Sequence, residues 1–388
     1  MDWGCRRFGA LNTVHCVRIF SFLTIGYRVM SVTSSLCPNA WLLYCRQGFE
    51  HDLASELAEA LERSDLTFTA PKNGGYVMVS LPDGESANGL HRDVPLEGIV
   101  FARQSLVALP PLTGLPKDDR ISAIVAQVKR SGWSFESLVS EQPDTNDGKA
   151  LTGLGKALQR PLESALRKAK ALNRRAGKRR LHLFWTAGDC VQIGMSFPGN
   201  RSEFTNGIQH LKFPHEAPSR STLKLEEAWH TFLPRARWDE VLVEGAVAAD
   251  LGAAPGGWTY QLVRKGMHVY AIDNGPMSPA LMRTGQVDHL REEGFVWSPP
   301  SRLDWLVCDI VDRPERGIQM IERWLLSRWC RFSVFNLKLP MHKRWQEVSQ
   351  CLMRLEEGLQ AEGIRYTLKC KHLYHDREEV TVFVELHH

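Results

Sequence analysis

Up to about residue 211 the apolar positions fall in short mixed runs, and beyond it they settle into regular strand–helix alternation. In the first section, 40–45 (AWLLYC) reads as a buried strand. Residues 49–64 read as an amphipathic helix, because Leu53, Leu57 and Leu61 recur at four-residue spacing. A second strand is predicted at 75–81, a turn at Pro82-Asp83-Gly84 and a further extended stretch at 98–107. This order of strand, helix, strand and strand predicts a small α+β domain of ferredoxin-like type. A helix at 121–131, a strand at 135–140, a turn-rich loop at 144–148, a helix at 151–171 and a hairpin of 181–186 with 190–197 predict a second α+β unit.

After a loop at 217–221 comes a helix carrying Leu223, Leu225, Ala228 and Phe232. Strands follow at 246–251, 269–272, 303–308 and 332–337, and the last three end at Asp273, Asp309 and Lys338. Helices at 258–265, 319–328 and 342–362 alternate with them, and strands at 365–370 and 380–386 close the chain with no helix between. Such alternation predicts a mostly parallel, doubly wound sheet with helices on both faces, finished by an antiparallel edge hairpin.

A chain of 388 residues, 43% apolar and 24% charged, has the composition of a globular protein of two or three domains. The net charge of +4 identifies no partner, but its distribution is uneven: from Arg160 to Arg180 there are nine Lys/Arg and a single acid, Glu163. That excess suits a phosphate backbone, and it equally suits a solvated helix face. Nine cysteines without a CxxC pair give no zinc or thioredoxin-like motif. They read as small apolar core residues in a reducing cytoplasm. Residues 16–27 form an apolar run interrupted by Arg18, too short to span a bilayer and without a small-residue cleavage site. Met30 reads as the translation start, and 1–36 as an extension that is either disordered or not native.

The candidate chemistry sits at strand ends. Asp250-Leu-Gly-Ala-Ala-Pro-Gly-Gly-Trp258 puts a glycine-rich turn where doubly wound sheets bind ligands. Glycine there lets ligand atoms approach the backbone. The spacing is not G-x-G-x-x-G, so a phosphate cradle is not the obvious use; a proline-stiffened turn suits the amino-acid end of a cofactor. Asp273, one strand on, is placed to take the hydroxyls of a ribose. Any one charged strand end can be explained by packing, but several around one crevice are harder to explain that way.

The segments DLGAAPGGWTYQL, AIDN, VCDI, FNLKLP and REEV resemble the FtsJ-like ribose 2′-O-methyltransferases. More narrowly, PSRSTLKLEEAWH, YAIDNGPM, NLKLPMHKR and LYHDREEVTV resemble the bacterial ribosomal RNA large subunit methyltransferase M family. The resemblance runs from about 40 to the end and is strongest after 211. FARQ at 101–104 and the basic helix resemble that family's N-terminal, THUMP-like part. The implied architecture is a ferredoxin-like domain at 37–115, a THUMP-like RNA-binding domain at 116–210 and a Rossmann-like methyltransferase domain at 211–388.

The resemblance implies a Lys–Asp–Lys–Glu tetrad matched by Lys224, Asp309, Lys338 and one of Glu378 and Glu379. Glu379 is favoured because the family's glutamate directly precedes a strand valine, and alternation turns only one of the two toward the active face. The implied cofactor is S-adenosyl-L-methionine, held by Ser221, Gly252, Ala254, Pro255, Gly256, Gly257, Asp273, Glu293 and Asp309, with no metal. Ala254 stands where relatives carry cysteine, and Glu293 where an aspartate is familiar. The implied reaction is methylation of a cytidine 2′-hydroxyl in 23S rRNA or its precursor, near the peptidyl-transferase centre, by a cytoplasmic monomer that needs no membrane. A lysine takes the hydroxyl proton only if its pKa falls below the usual value of roughly 10.4. Burial and a neighbouring ammonium both act in that direction. Lys338 is the expected base, with Lys224 steering the hydroxyl. The competing readings are another structured RNA as substrate, a nicotinamide-dependent oxidoreductase and a non-catalytic RNA-binding assembly factor. The oxidoreductase would leave both lysines idle, and a decayed factor would be expected to have lost a tetrad member.

Overall fold

The computed structural model describes residues 36–387; the expected start at Met30 and the extension before Leu36 lie outside them. Two sheets of seven strands each organise the described residues. The first contains β1 (Ala40–Tyr44), β2 (Thr67–Thr69), β3 (Tyr76–Ser80), β4 (Gln104–Ala108), β5 (Ser137–Glu141), β6 (Arg180–Ala187) and β7 (Cys190–Ser196), in the order β2-β3-β1-β4-β7-β6-β5. The antiparallel pairing of β4 with β7, Val107 opposite Met195, joins the two N-terminal α+β units into one sheet.

Among the local features that differ from the sequence expectation are β2, the stretch 144–148 and, in the second sheet, the short strand Val287–Leu290. The short strand β2 (TFT) has no sequence signal, because three residues with partly exposed side chains show no apolar alternation. The stretch 144–148 is not simply a loop: Thr145 Oγ1 accepts from Gly148 N at 2.9 Å and caps a helix, Asn146–Ala150. Thr, Asn and Asp favour turns and N-caps for the same hydrogen-bonding reason, so composition does not separate the two. The basic helix follows as Thr152–Lys168, burying Leu162 and Leu166.

The second sheet contains β8 (Val247–Leu251), β9 (His268–Ile272), β10 (Val287–Leu290), β11 (Leu303–Cys308), β12 (Cys330–Lys338), β13 (Arg365–Lys371) and β14 (Glu379–His387), in the order β10-β9-β8-β11-β12-β14-β13. The first five in that order are mutually parallel, and β14 is antiparallel to both of its neighbours. This is a Rossmann-like, doubly wound arrangement. Helices cover both faces, so strands such as β11 read as nearly unbroken apolar runs, with Leu303, Trp305, Leu306 and Val307 all buried. The helix Pro314–Leu326 starts ahead of its apolar periodicity because Pro314 occupies its first turn, where a missing N–H costs nothing. From β8 the chain order runs outward in both directions, to β9 on one side and β11 on the other. That reversal makes the crevice in which such folds bind ligands.

The N-terminal and C-terminal halves share a core. The helix Glu50–Leu61 lies against Arg344–Ala361, and Leu53, Leu57, Val348, Leu355 and Leu359 belong to one buried cluster. Polar bonds cross the same junction. Buried Lys371 donates to the carbonyls of Leu96 at 2.9 Å, Ala102 at 2.8 Å and Ile99. The His372 ring sits 4.2 Å from that of Phe49. Of the seven described cysteines five are buried and all are free thiols. Among the described residues no helix is long and apolar enough to cross a membrane.

Candidate active site

Four ionic side chains from four elements form one connected chain. The helix Thr222–Phe232 buries Leu223, Leu225, Ala228 and Phe232 against the sheet, which leaves Lys224 in its first turn beside the strand ends. Lys224 Nζ lies 3.1 Å from each carboxylate oxygen of Asp309, just past β11, and 2.7 Å from Glu379 Oε1. The second oxygen of Glu379 takes Lys338 Nζ at 2.9 Å. Glu379 opens β14 and Lys338 ends β12, and the two are direct partners in the antiparallel register. Glu378 turns away: its side chain is 60% exposed and pairs with Arg344 Nη2 at 3.0 Å.

The charges tune one another. Burial alone would lower Lys224, but Asp309 and Glu379 outweigh it and hold this ammonium above its ordinary value. Burial likewise acts to raise Glu379, and Lys224 and Lys338 outweigh it, keeping the carboxylate below its ordinary value. Lys224 is therefore committed to two carboxylates, whereas Lys338 holds one carboxylate oxygen and has a side chain that is 22% exposed.

Further residues, which no sequence motif marks, complete the site. Asn336 Nδ2 donates to Asp309 Oδ1 at 2.7 Å, and Thr381 Oγ1 lies 2.8 Å from Asn336 Oδ1. Asn336 precedes Lys338 by two and Thr381 follows Glu379 by two, so strand alternation puts them on the same face; that period was the available signal. Asp376, fully buried, lies 2.9 and 3.0 Å from Thr381 Oγ1, and Glu227 accepts from the backbone of Tyr374 at 2.8 Å and of His375 at 2.9 Å. Neither had a local signature, because the loop 372–378 is shaped by its partners. Arg46, from the N-terminal half, donates to the carbonyls of Tyr374 at 3.1 Å and Asp376 at 2.7 Å. Arg344 Nη1 meets Asp52 at 3.2 Å on the same side.

The glycine-rich turn lies at the end of β8. Gly252 and Gly256 adopt φ of 76° and 110°, which favours glycine. A Cβ on Gly252 would come within 2.6 Å of Ile310, one on Gly256 would overlap Leu281, and one on Gly257 would overlap the Ser221 hydroxyl. Asp273, past β9, accepts from Ala254 N at 3.0 Å and from Gly275 N at 2.7 Å. Pro255 lies in the turn between Ala254 and Gly256, and its carbonyl accepts from Ser278 N at 3.0 Å. Beneath the turn Asp250 accepts from Thr259 Oγ1 at 2.6 Å, and burial pushes its carboxyl up to about 7. Thus Ser221, Gly252, Ala254, Pro255, Gly256, Gly257 and Asp273 are brought together. Glu293 lies beyond β10, its side chain 55% exposed and paired with Arg316 at 2.9 Å. Among the described residues no group of three or more His, Cys, Asp or Glu is arranged to hold a metal.

On the first sheet's flank, Arg160, Arg167, Lys168, Lys170, Arg174, Arg175 and Lys178 are exposed. Arg179 and Arg180 are not part of that free surface. Arg179 donates to Ala176 O and Ser134 Oγ, each at 2.8 Å, and Arg180 pairs with Glu203 at 2.6 Å.

A doubly wound sheet with a glycine-rich turn after its first strand, acids after the next ones and a Lys–Asp–Lys–Glu cluster over the switch point defines a methyltransferase of the FtsJ-like class, and residues 217–328 match the FtsJ-like methyltransferase family model. Residues 39–106 match the RlmM ferredoxin-like domain, and 119–197 the N-terminal model of ribosomal RNA large subunit methyltransferase M. The chain is 64% identical over 352 residues to the ribosomal RNA large subunit methyltransferase M of Chromohalobacter salexigens, covering 90% of this chain and 99% of the relative. It is 48% identical over 355 residues to that of Serratia proteamaculans, covering 89% and 96%. The chain belongs to the ribosomal RNA large subunit methyltransferase M family.

Proposed function

We propose that this chain transfers a methyl group from S-adenosyl-L-methionine to the 2′-hydroxyl of a cytidine in 23S rRNA, in the peptidyl-transferase region. The observation that carries this reading is the shared carboxylate: Lys224 and Lys338 approach the two oxygens of Glu379 at 2.7 and 2.9 Å, beside the cofactor crevice.

The residues present fit the cofactor. The turn Gly252–Gly257 has no room for a Cβ at its three glycines, because Ile310, Leu281 and Ser221 stand against them, so glycine fixes the tight turn that brings its backbone and Ser221 together. Asp273 accepts two backbone N–H groups, and a carboxylate with roughly four lone-pair sites keeps capacity for two ribose hydroxyls. Ser221, Ala254, Pro255 and Gly257 would face the amino-acid end, and Glu293 would serve the adenine end once released from Arg316. When bound, S-adenosyl-L-methionine supplies a methyl group on a positively charged sulfur, so the electrophile needs no metal.

The chain's own work is to hold and deprotonate the sugar oxygen. A 2′-hydroxyl is a poor nucleophile and must lose its proton as it attacks. Lys224, tied to Asp309 and Glu379, stays charged and orients the oxygen by its field. Lys338, with one partner and an open side, takes the proton as the free amine and becomes the ammonium that Glu379 holds. Glu379 and Asp309 keep both lysine nitrogens in register, and in-line placement of the hydroxyl supplies most of the rate. A ribose hydroxyl is the same on every nucleotide, so selection falls to the N-terminal half, 37–210, through its exposed basic helix and THUMP-like region.

The test is a ribose-methylation map of ribosomal RNA from cells lacking the gene, complemented with wild type or with Lys338→Ala. One 23S cytidine should lose its 2′-O-methyl group, regain it with wild type and not with the variant. A loss confined to base methylation would sink the 2′-O reading; a loss from a different RNA would move the substrate assignment.

A further inference from the structure

We infer that Asp376 is a protonated carboxylic acid in the working enzyme and acts as a positioning residue, donating to Thr381 so that Thr381 and Asn336 hold the Asp309 carboxylate in place. The inference rests on the tetrad reading above and concerns a residue outside the tetrad.

Asp309 accepts from Lys224 through both oxygens at 3.1 Å, so the Asn336 atom 2.7 Å from Asp309 Oδ1 must be the amide nitrogen. The Asn336 oxygen is then the atom 2.8 Å from Thr381 Oγ1, and Thr381 must donate to it. A threonine hydroxyl has one proton, and that donation uses it. Yet Thr381 Oγ1 also lies 3.0 Å from Asp376 Oδ1 and 2.9 Å from Oδ2. Two bare acceptors that close, in a site where Thr381 and Asp376 are both 0% exposed, would leave a costly unmade bond. A proton on Asp376 turns the clash into a bond. Oδ2 already accepts from Leu373 N at 2.9 Å, so the proton belongs on Oδ1.

The surrounding charges agree. Burial pushes Asp376 well above the carboxylate range, and Glu227 and Glu379 push it further, against Leu373 N and Lys224. Arg46 reaches only its backbone carbonyl. The resulting line, Asp376–Thr381–Asn336–Asp309–Lys224, is directional: each group donates to the next up to Asp309, which receives from both sides.

The test reads the proton itself. The infrared difference spectrum of wild type minus Asp376→Asn at pH 7 should contain the C=O stretch of a protonated acid; an ionised-carboxylate band in its place overturns the inference. This reading needs no activity, so it stands or falls separately from the tetrad assignment. Should Asp376→Asn not fold, wild type labelled at aspartate 13Cγ gives the same information. The resonance that moves in Thr381→Val should remain at the protonated position at pH 7, and an ionised position overturns the inference. Kinetically, Asp376→Asn, which can still donate to Thr381, should keep kcat about tenfold above Asp376→Leu at equal cofactor affinity. Equal kcat in the two variants would refute the positioning role.

Discussion

Lys338 and Glu379 stand directly opposite each other in the antiparallel pairing of β12 with β14, and their charged ends meet at 2.9 Å. The next pair inward on the same face is Asn336 with Thr381, 2.8 Å apart. Half of the site is therefore a ladder of cross-strand pairs, whose geometry is as rigid as the sheet beneath it.

Lys338→Ala should reduce kcat by on the order of 1000-fold if Lys338 is the positioned general base proposed above. Cofactor affinity should change little, because Lys338 contacts Glu379 and not the glycine-rich turn. Single-turnover methyl transfer together with calorimetric binding checks both.

Lys224→Ala leaves Asp309 and Glu379 without their shared cation, both with side chains under 20% exposed. Removing one partner of a buried pair costs about 3 kcal/mol or more. The deficit should depend on pH with a definite sign. Glu379 is depressed in the folded state, so its contribution is present above its unfolded pKa and is lost as pH falls through its folded value. Denaturant melts of wild type and variant should therefore converge in acid; a gap that widens there would contradict the pairing.

Asp250 carries the opposite sign. Burial raises it from 3.8 to about 7 in the fold, so the native state binds its proton more tightly than the unfolded chain. Its stabilising contribution is complete below 3.8 and is lost as pH rises to about 7. Asp250→Asn cannot ionise, so its stability relative to wild type should increase from pH 4 to pH 8, by at most about 4 kcal/mol. Chemical denaturation at the two pH values measures this.

Arg46→Ala removes two bonds to the loop that carries Asp376, without touching the glycine-rich turn. The variant should lose about tenfold in kcat, the weight of one or two charge-assisted bonds, with unchanged cofactor affinity. A loss confined to cofactor binding would show that the loop is held by other means.

Charge reversal of Arg160, Arg167 and Lys170, all exposed, should weaken RNA binding and flatten its dependence on salt, by about one unit of slope for each phosphate no longer neutralised. The same reversal at Arg180 should instead cost stability, because that guanidinium is already paired with Glu203. Filter binding over a salt series, with a thermal melt of each variant, separates the two effects.

Local periodicity and strand ends are legible in the amino-acid sequence. Apolar runs of strand length in alternation with amphipathic helices specified the doubly wound sheet, and Asp273, Asp309 and Lys338 were visible because a strand end is marked in one dimension. Which charges meet is set by folding. Lys224 and Asp309 are 85 positions apart and bond through two oxygens; Arg46 reaches Asp376 across 330. Asp376 became part of the site because the loop 372–378 is clamped from both halves of the chain, and the joining of the N-terminal units through β4 and β7 rests on pairing that no local pattern records. Periodicity reports the solvent that each face meets, whereas the contacts that tune a buried charge arise from segments brought together only by folding.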